Sequence, residues 1–237
     1  MKGREIMGNF NFATDCKVTY GEKITHIDFD INLKNTSAQQ LASQGYQING
    51  GSAAKDVPCK TATYTFTKLP ATLEELKTIP RDTMFAPFAL GICAMASYEE
   101  LQGQHMYDHP VYDLFDYING PNFKISQVEK SGIWYSMKAT LEKGKYCYFD
   151  GAAPTNQYTP NQPFTFTLEE GPYYIPAKEH DIVYGTTPDR YMVLISFAGD
   201  DSKRYMDVYR SSDGNWYCWN DSWKHLIAGI KEPAIKW

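Results

Sequence analysis

The sequence has no C-x-x-C pair, no Cys/His ligand set, no basic run and no apolar stretch of bilayer length. Each absence removes a class of function. Cys16, Cys59, Cys93, Cys147 and Cys218 are odd in number and widely spaced, which argues against a structural zinc site. A formal net charge of -5 without clustered Lys and Arg gives no electrostatic footprint for nucleic acid. The longest apolar stretch, Phe85 to Ala96, is too short to span a bilayer. Met1-Lys-Gly-Arg-Glu-Ile-Met-Gly8 runs into polar sequence with no apolar signal region behind it, and Met7 is a second candidate start. The expectation is a cytoplasmic protein with reduced thiols and no nucleic-acid or membrane partner.

Catalytic signatures are missing as well. No Gly-x-Ser-x-Gly elbow occurs and no Gly-x-Gly-x-x-Gly opens a helix, so the commonest serine-hydrolase and dinucleotide patterns are absent. Gly50-Gly51 lacks the lysine and hydroxyl spacing of a phosphate loop. Asp28-x-Asp30-x-Asn32 opens like a calcium loop, but Leu33 stands where glycine is needed and Gln39 where a bidentate glutamate is needed. The solvated face of a strand accounts for those acids instead. His105 and His109 stand at i and i+4 near Asp108, a metal-holding spacing on a helix, but Gly103 and Pro110 place them in a loop. Glu169-Glu170 and Asp200-Asp201 are adjacent carboxylates, which point to opposite faces in a strand and are solvated in a turn. Cys93 lies in an apolar helix, and Cys147 and Cys218 lie in aromatic runs, where an inert core thiol is the plain reading. No catalytic residue, no metal and no cofactor is expected.

What the chain has in excess is aromatic side chains. With 18 Tyr, 12 Phe and 5 Trp they reach 15%, enough to furnish either the strands of a β-rich half or a binding face for sugar, peptide or base. Ile27, Phe29, Ile31 and Leu33 alternate with polar residues and predict a strand. Ser37-Ala-Gln-Gln40 has the form of a capping box for a short helix that Leu41 anchors and Gly45 closes. Residues 47 to 58, with Gly50-Gly51 and Pro58, read as a loop, and Ala62, Tyr64 and Phe66 as a second strand. Helices dominate from there. Thr72-Leu-Glu-Glu75 caps one that Pro80 stops. Pro87 opens another, apolar on all sides and therefore the predicted buried centre. Val111, Leu114, Phe115 and Ile118 form one stripe between Pro110 and Gly120-Pro121. Ser126-Gln-Val-Glu129 caps the next helix, which carries Val128, Ile133, Trp134 and Met137.

Residues 144 to 168 divide this helical part from a β part. Gly151, Pro154, Pro160 and Pro163 exclude helix and confine any strand to an edge, while Tyr146, Tyr148, Phe149 and Tyr158 supply surface to bury. An ordered loop is expected, with a polar tip of Thr155, Asn156, Gln157 and Asn161 and Tyr158 as anchor for a bound partner. Beyond it, Phe164 and Phe166 alternate with threonines. Tyr191 to Phe197 is dense enough to be buried on both faces. Tyr205 to Arg210 and Asn215 to Trp219 pair across an Asp213-Gly214 hairpin. Ser222 caps a final helix carrying Leu226, Ile227 and Ile230. The fold class is α+β: a helical N-terminal and central region, then a small antiparallel β meander of SH3-like barrel or sandwich form. The division expected is 1–143, mainly helical with N-terminal strands; 144–162, the loop; and 163–237, a small β domain with a short C-terminal helix.

Thr72-Leu-Glu-Glu-Leu76, Asn119-Gly-Pro121 and above all Tyr148-Phe-Asp-Gly-Ala-Ala-Pro-Thr-Asn-Gln-Tyr-Thr-Pro160 resemble an uncharacterised bacterial family found mainly in Firmicutes. The resemblance covers roughly residues 66 to 230 and thins in the β tail, where Gly199-Asp-Asp-Ser202 matches only loosely. The family is a domain of unknown function, so the resemblance implies no chemistry and carries over no catalytic residue. The leading reading is a non-enzymatic cytoplasmic binding or accessory module, with a protein or a small molecule as ligand. The rivals are a hydrolase assembled from distant residues and a structural subunit of an oligomer.

Overall fold

The structure, a computed structural model, describes residues 7–8, 16–30, 38–43, 45, 47–49, 52–97, 111–121, 123–175 and 188–234. It is an α+β fold. The strands are β1 (Met7–Gly8), β2 (Cys16–Asp30), β3 (Gln47–Asn49), β4 (Ser52–Phe66), β5 (Phe164–Ile175), β6 (Arg190–Ile195), β7 (Arg204–Arg210) and β8 (Trp216–Cys218). The helices are α1 (Ala38–Ser43), α2 (Leu73–Leu76), α3 (Ala86–Ala96), α4 (Val111–Asn119) and α5 (Gln127–Gly144), with 3-10 turns at Pro154–Asn156 and Ser222–Ile227. One open antiparallel sheet runs β1-β2-β4-β5-β6-β7-β8, with β3 beside β4.

Local sequence rules explain the helices. Every residue of α3 is buried, with Pro87 in its first turn where a missing N–H costs nothing. Gly91 lets it approach the sheet: a Cβ there would meet Leu226 Cδ1 at 2.6 Å and Met206 Cε at 3.5 Å. Ala62, Tyr64 and Phe66 of β4, Phe166 and Leu168 of β5, Val193 and Ile195 of β6, and Met206 and Val208 of β7 are buried in the same core as α3. Each fully buried large apolar side chain there contributes about 1.5–3 kcal/mol over its exposed state. α5 starts at a full capping box between Ser126 and Glu129, and it buries Ile133 and Met137, with Trp134 half-buried. α4 buries Leu114, Phe115 and Ile118 and ends at Gly120, whose φ of 74° needs glycine.

Several expectations change. The strands after the loop do not close a small barrel of their own, because β5 pairs with β4 over Thr61 to Phe66. Strands from both sides of residues 144–162 thus share one sheet, and buried side chains from both sides share one core. The N-terminal part holds two fifteen-residue strands. Residues 47–58, read as a loop, hold β3 and the start of β4 in their described part. Pro58 fits inside β4 because among the described residues β4 there has β2 alone as a neighbour, between its pairing with β3 at Ala54 and with β5 at Thr61. β6 is buried on one face only: Val193 and Ile195 point into the core, while Met192 and Leu194 are partly exposed. Ser222 does not cap a helix through its hydroxyl; it bonds the backbone of Asp207. His105, His109, Ser37, Gly50 and Gly51 lie outside the described residues.

Candidate binding cleft

The first turn of α5 and the C-terminal 3-10 turn meet at an ion-pair network. Glu129 Oε2 accepts from the Ser126 N–H at 3.0 Å and from Ser126 Oγ at 2.7 Å, and Glu129 Oε1 accepts from Lys224 Nζ at 3.0 Å. These bonds, the Ser126 hydroxyl first, hold the Glu129 carboxyl down at about 2. Burial works against the Lys224 ammonium, but Glu129 and Asp221 more than offset it and leave its pKa above the ordinary lysine value. Asp221 Oδ2 accepts from Lys224 at 3.1 Å, and Asp221 Oδ1 accepts from Trp223 Nε1 at 3.3 Å and from Asn119 Nδ2. Asn220 and Asp221 both take left-handed φ values, 47° and 56°, which turn the chain so that this carboxylate reaches inward.

Behind the Glu129–Lys224 pair opens a cleft of about 350 Å³, lined by Glu129, Gly132, Ile133, Ser136, Lys224, Ile227 and Ala228. Ile133 and Ile227 make an apolar floor, and the missing side chain of Gly132 leaves open space, since a Cβ there would meet nothing within 4 Å. Of the three donors of its ammonium, Lys224 commits two among the described residues, to Glu129 and Asp221, and it lines the cleft. The arrangement suits a small amphipathic molecule with one acceptor group.

The loop of residues 144–162 and the end of α5 are bonded to the C-terminal segment that carries Ile227 of the cleft lining. The Tyr148 hydroxyl donates to the Leu226 carbonyl at 2.8 Å, Thr140 Oγ1 to the Ile227 carbonyl at 2.5 Å and the Tyr158 hydroxyl to the Lys231 carbonyl at 2.8 Å. The Ala234 N–H returns to the Pro154 carbonyl at 2.8 Å, and Lys143 pairs with Glu232 at 2.6 Å. Thr155, Asn156, Gln157 and Asn161 are exposed, as expected of the tip. Tyr158 is 1% exposed and its ring lies over Gly144, so it fixes the loop to the body and offers no contact surface. Asn156 is spent within the loop: its Oδ1 accepts from the Ala153 N–H at 2.9 Å, and its Nδ2 donates to the Gly151 and Thr159 carbonyls at 2.8 and 3.0 Å. Among the described residues Thr155, Gln157 and Asn161 are the members of the tip without such a network.

The residue types of a hydrolytic relay do gather at one place. Asp207 lies on β7 with Ser222 and His225 beside it, but they are not wired as a relay. Ser222 Oγ accepts from the Asp207 N–H at 2.9 Å and donates to the Asp207 carbonyl at 3.0 Å, which also accepts from the Trp219 N–H at 2.8 Å, so the hydroxyl is spent on the backbone of β7. The His225 ring packs on Tyr205 at 4.2 Å, and burial lowers its pKa. Among the described residues no hydrogen bond joins His225 to Ser222 or Asp207, which a nucleophile and its base require. All five cysteines are free and buried, and burial pushes Cys16 and Cys218 up to about 12, far from a reactive thiolate. Among the described residues no group of three or more His, Cys, Asp or Glu gathers to hold a metal, and no helix is long and apolar enough to cross a membrane.

Sequence reading identified Glu129 only as a capping residue and missed Lys224, Gly132 and the cleft. Glu129 and Lys224 are 95 positions apart, and no local pattern joins them. Compared with known proteins, residues 68–234 match the family DUF6935, described as a domain of unknown function. No curated protein and no solved structure matches the chain.

Proposed function

We propose, from the premise that this chain belongs to the DUF6935 family, that it is a non-enzymatic binding or accessory module of the cytoplasm. Its ligand is a small amphipathic molecule with a carbonyl or hydroxyl acceptor, held between α5 and the C-terminal 3-10 turn. The observation that carries the reading is the open cleft lined by Ile133 and Ile227, with the Lys224 ammonium in its wall committing two of its three donors among the described residues. Buried unpaired thiols support a reducing compartment. The test is a ligand-observed NMR screen of small amides, ketones and alcohols against wild type and a Gly132→Leu variant, which fills the open space beside Ile133. Binding to wild type and not to the variant, with both melting alike, is the expected result. A hit that binds both equally removes the cleft from the proposal.

A second reading places a protein contact at the loop tip, on Thr155, Asn156, Gln157 and Asn161. Gln157 and Tyr158 both hold φ at 57°, two left-handed non-glycine residues in succession. Such strain costs about 1–3 kcal/mol per residue and clusters at functional turns. Here the fixed Tyr158 presents Gln157 outward, and Asn156 serves to hold the turn.

A further inference from the structure

Val193 of β6 and Met206 of β7 pair with each other and are buried in the core. Strand alternation therefore sets Arg190, Met192 and Leu194 of β6 and Tyr205, Asp207 and Tyr209 of β7 on the opposite face. Asp207 stands in the middle of this set, half-buried. Its backbone is engaged: the N–H donates to Ser222 Oγ, and the carbonyl accepts from Ser222 Oγ and from the Trp219 N–H. Its carboxylate accepts no hydrogen bond among the described residues.

Two bases flank this carboxylate and neither closes on it. Arg190 stands diagonally across on β6, a spacing that so long a side chain can bridge. Its guanidinium instead lies over the Trp219 ring, 5.2 Å from the centroid, and its Nε is buried without a partner. His225 stacks on Tyr205, the next residue of this face on β7, with ring centroids 4.2 Å apart. Burial raises the Asp207 pKa, and the charges of Arg190 and His225 only partly offset it. A half-buried carboxylate without a hydrogen bond is a costly arrangement, and a ligand placed among the three groups relieves it.

The three groups narrow the ligand. Burial lowers the pKa of His225 and favours its neutral form, so a carboxylate, a guanidinium and an imidazole sum to no net charge. A cation would meet Arg190, and an anion would meet Asp207. A metal ion lacks donors, because among the described residues no third His, Cys, Asp or Glu joins Asp207 and His225. A zwitterionic amino acid balances the charges but leaves His225 without a partner. Vicinal hydroxyls satisfy all three: two O–H groups donate to the two oxygens of Asp207, and their own oxygens accept from Arg190 and His225. Trp219 holds the guanidinium in place without using its donors, and Met192, directly opposite Asp207 and half-buried, offers an apolar contact.

We propose that this face of β6 and β7 binds a neutral sugar, with Asp207 accepting from vicinal hydroxyls and Arg190 and His225 donating to sugar oxygens. The site does not rest on the cleft, although Lys224 and His225 are neighbours in one 3-10 turn.

Saturation-transfer NMR titrations of the full chain with glucose, galactose, mannose and xylose, and with glycine and alanine as zwitterions, test the proposal. Wild type is expected to bind at least one of the sugars and neither amino acid. Asp207→Asn keeps the shape and relieves the burial of charge, so it should melt no lower than wild type. It should nevertheless weaken sugar binding by about ten- to a hundred-fold, the loss of hydrogen bonds to a charged group. Arg190→Met keeps an apolar stem over Trp219 and should weaken binding as well; it decides alone if Asp207→Asn does not fold. Gly132→Leu, which fills the cleft, should bind the sugar like wild type. Wild type that binds none of the sugars overturns the proposal, and so does wild type that binds an amino acid instead. A sugar held equally well by Asp207→Asn overturns it too, and its loss in Gly132→Leu alone assigns the sugar to the cleft and removes it from this face.

Discussion

Removing one hydroxyl tests whether the loop supports the cleft wall. Tyr148→Phe keeps the ring, stacked on Phe197 at 4.5 Å, and deletes only the 2.8 Å bond to the Leu226 carbonyl. Leu226 is fully buried. Its carbonyl then loses a partner with no water at hand, a loss that costs about 1–3 kcal/mol. For a chain of this size each kcal/mol lowers the melting temperature by about 2–4 °C, so a fall of about 2–12 °C is expected. Tyr158→Phe deletes an equivalent bond, but Lys231 is exposed and water can replace the lost donor. That cost should stay near the net value of an ordinary hydrogen bond, about 0.5–1.5 kcal/mol. Chemical denaturation of both variants gives the ranking, and hydrogen exchange at residues 226–228 locates the effect. Tyr148→Phe should loosen those amides and Tyr158→Phe should not. An equal or reversed ranking, or a Tyr148→Phe variant as stable as wild type, would refute the reasoning that the loop clamps this wall.

Other perturbations have expected outcomes of their own. Ile92→Ala in the centre of α3 should cost about 2–5 kcal/mol in urea denaturation, since the site is fully buried. Gly132→Ala, on an exposed stretch of α5 with open space for the methyl, should stabilise by about 0.5–1 kcal/mol, whereas Gly91→Ala should destabilise by collision with Leu226. The carboxyl of Glu129 is depressed from 4.5 to about 2, so its contribution is complete above pH 4.5 and is lost as pH falls toward 2. Stability measured across that window should therefore fall less steeply in Ser126→Ala than in wild type. Asn156→Ala should cost about 1 kcal/mol through its lost cap, while Thr155→Ala and Gln157→Ala should change melting by less than about 0.5 kcal/mol.

What the sequence reveals here is what chemistry close along the chain decides. The all-apolar run with Pro87, the Ser126–Glu129 box and the threonine alternation around Tyr64 each announce an element through neighbours within a turn or a pleat. The Asp213-Gly214 turn does the same, with Gly214 at φ 84° between β7 and β8. The sheet order was not legible, because β4 joins β5 across about a hundred residues and either strand alone accepts other neighbours. Pro58 misleads for the same reason. It excludes a strand only where both sides must be paired, and that depends on how far β5 extends. Tyr158 reads both as surface to bury and as an anchor for a partner; the structure gives the first, with its ring inside, while no residue type at 157 or 158 signals the two left-handed residues there.

Where β4 ends has a consequence for how this protein can be divided. The family match begins at residue 68, just past Phe66. The matched stretch therefore starts in the middle of the sheet. Cutting there would strip β5 of the neighbour that runs from Thr61 to Phe66 and take Cys16, Val18, Ala62, Tyr64 and Phe66 out of the core. A fragment of 68–234 would carry a bare sheet edge beside an open apolar wall, the combination that drives chains to aggregate. The stretch that matches the family and the stretch that folds are different objects in this chain, and a shortened version should be trimmed by the second.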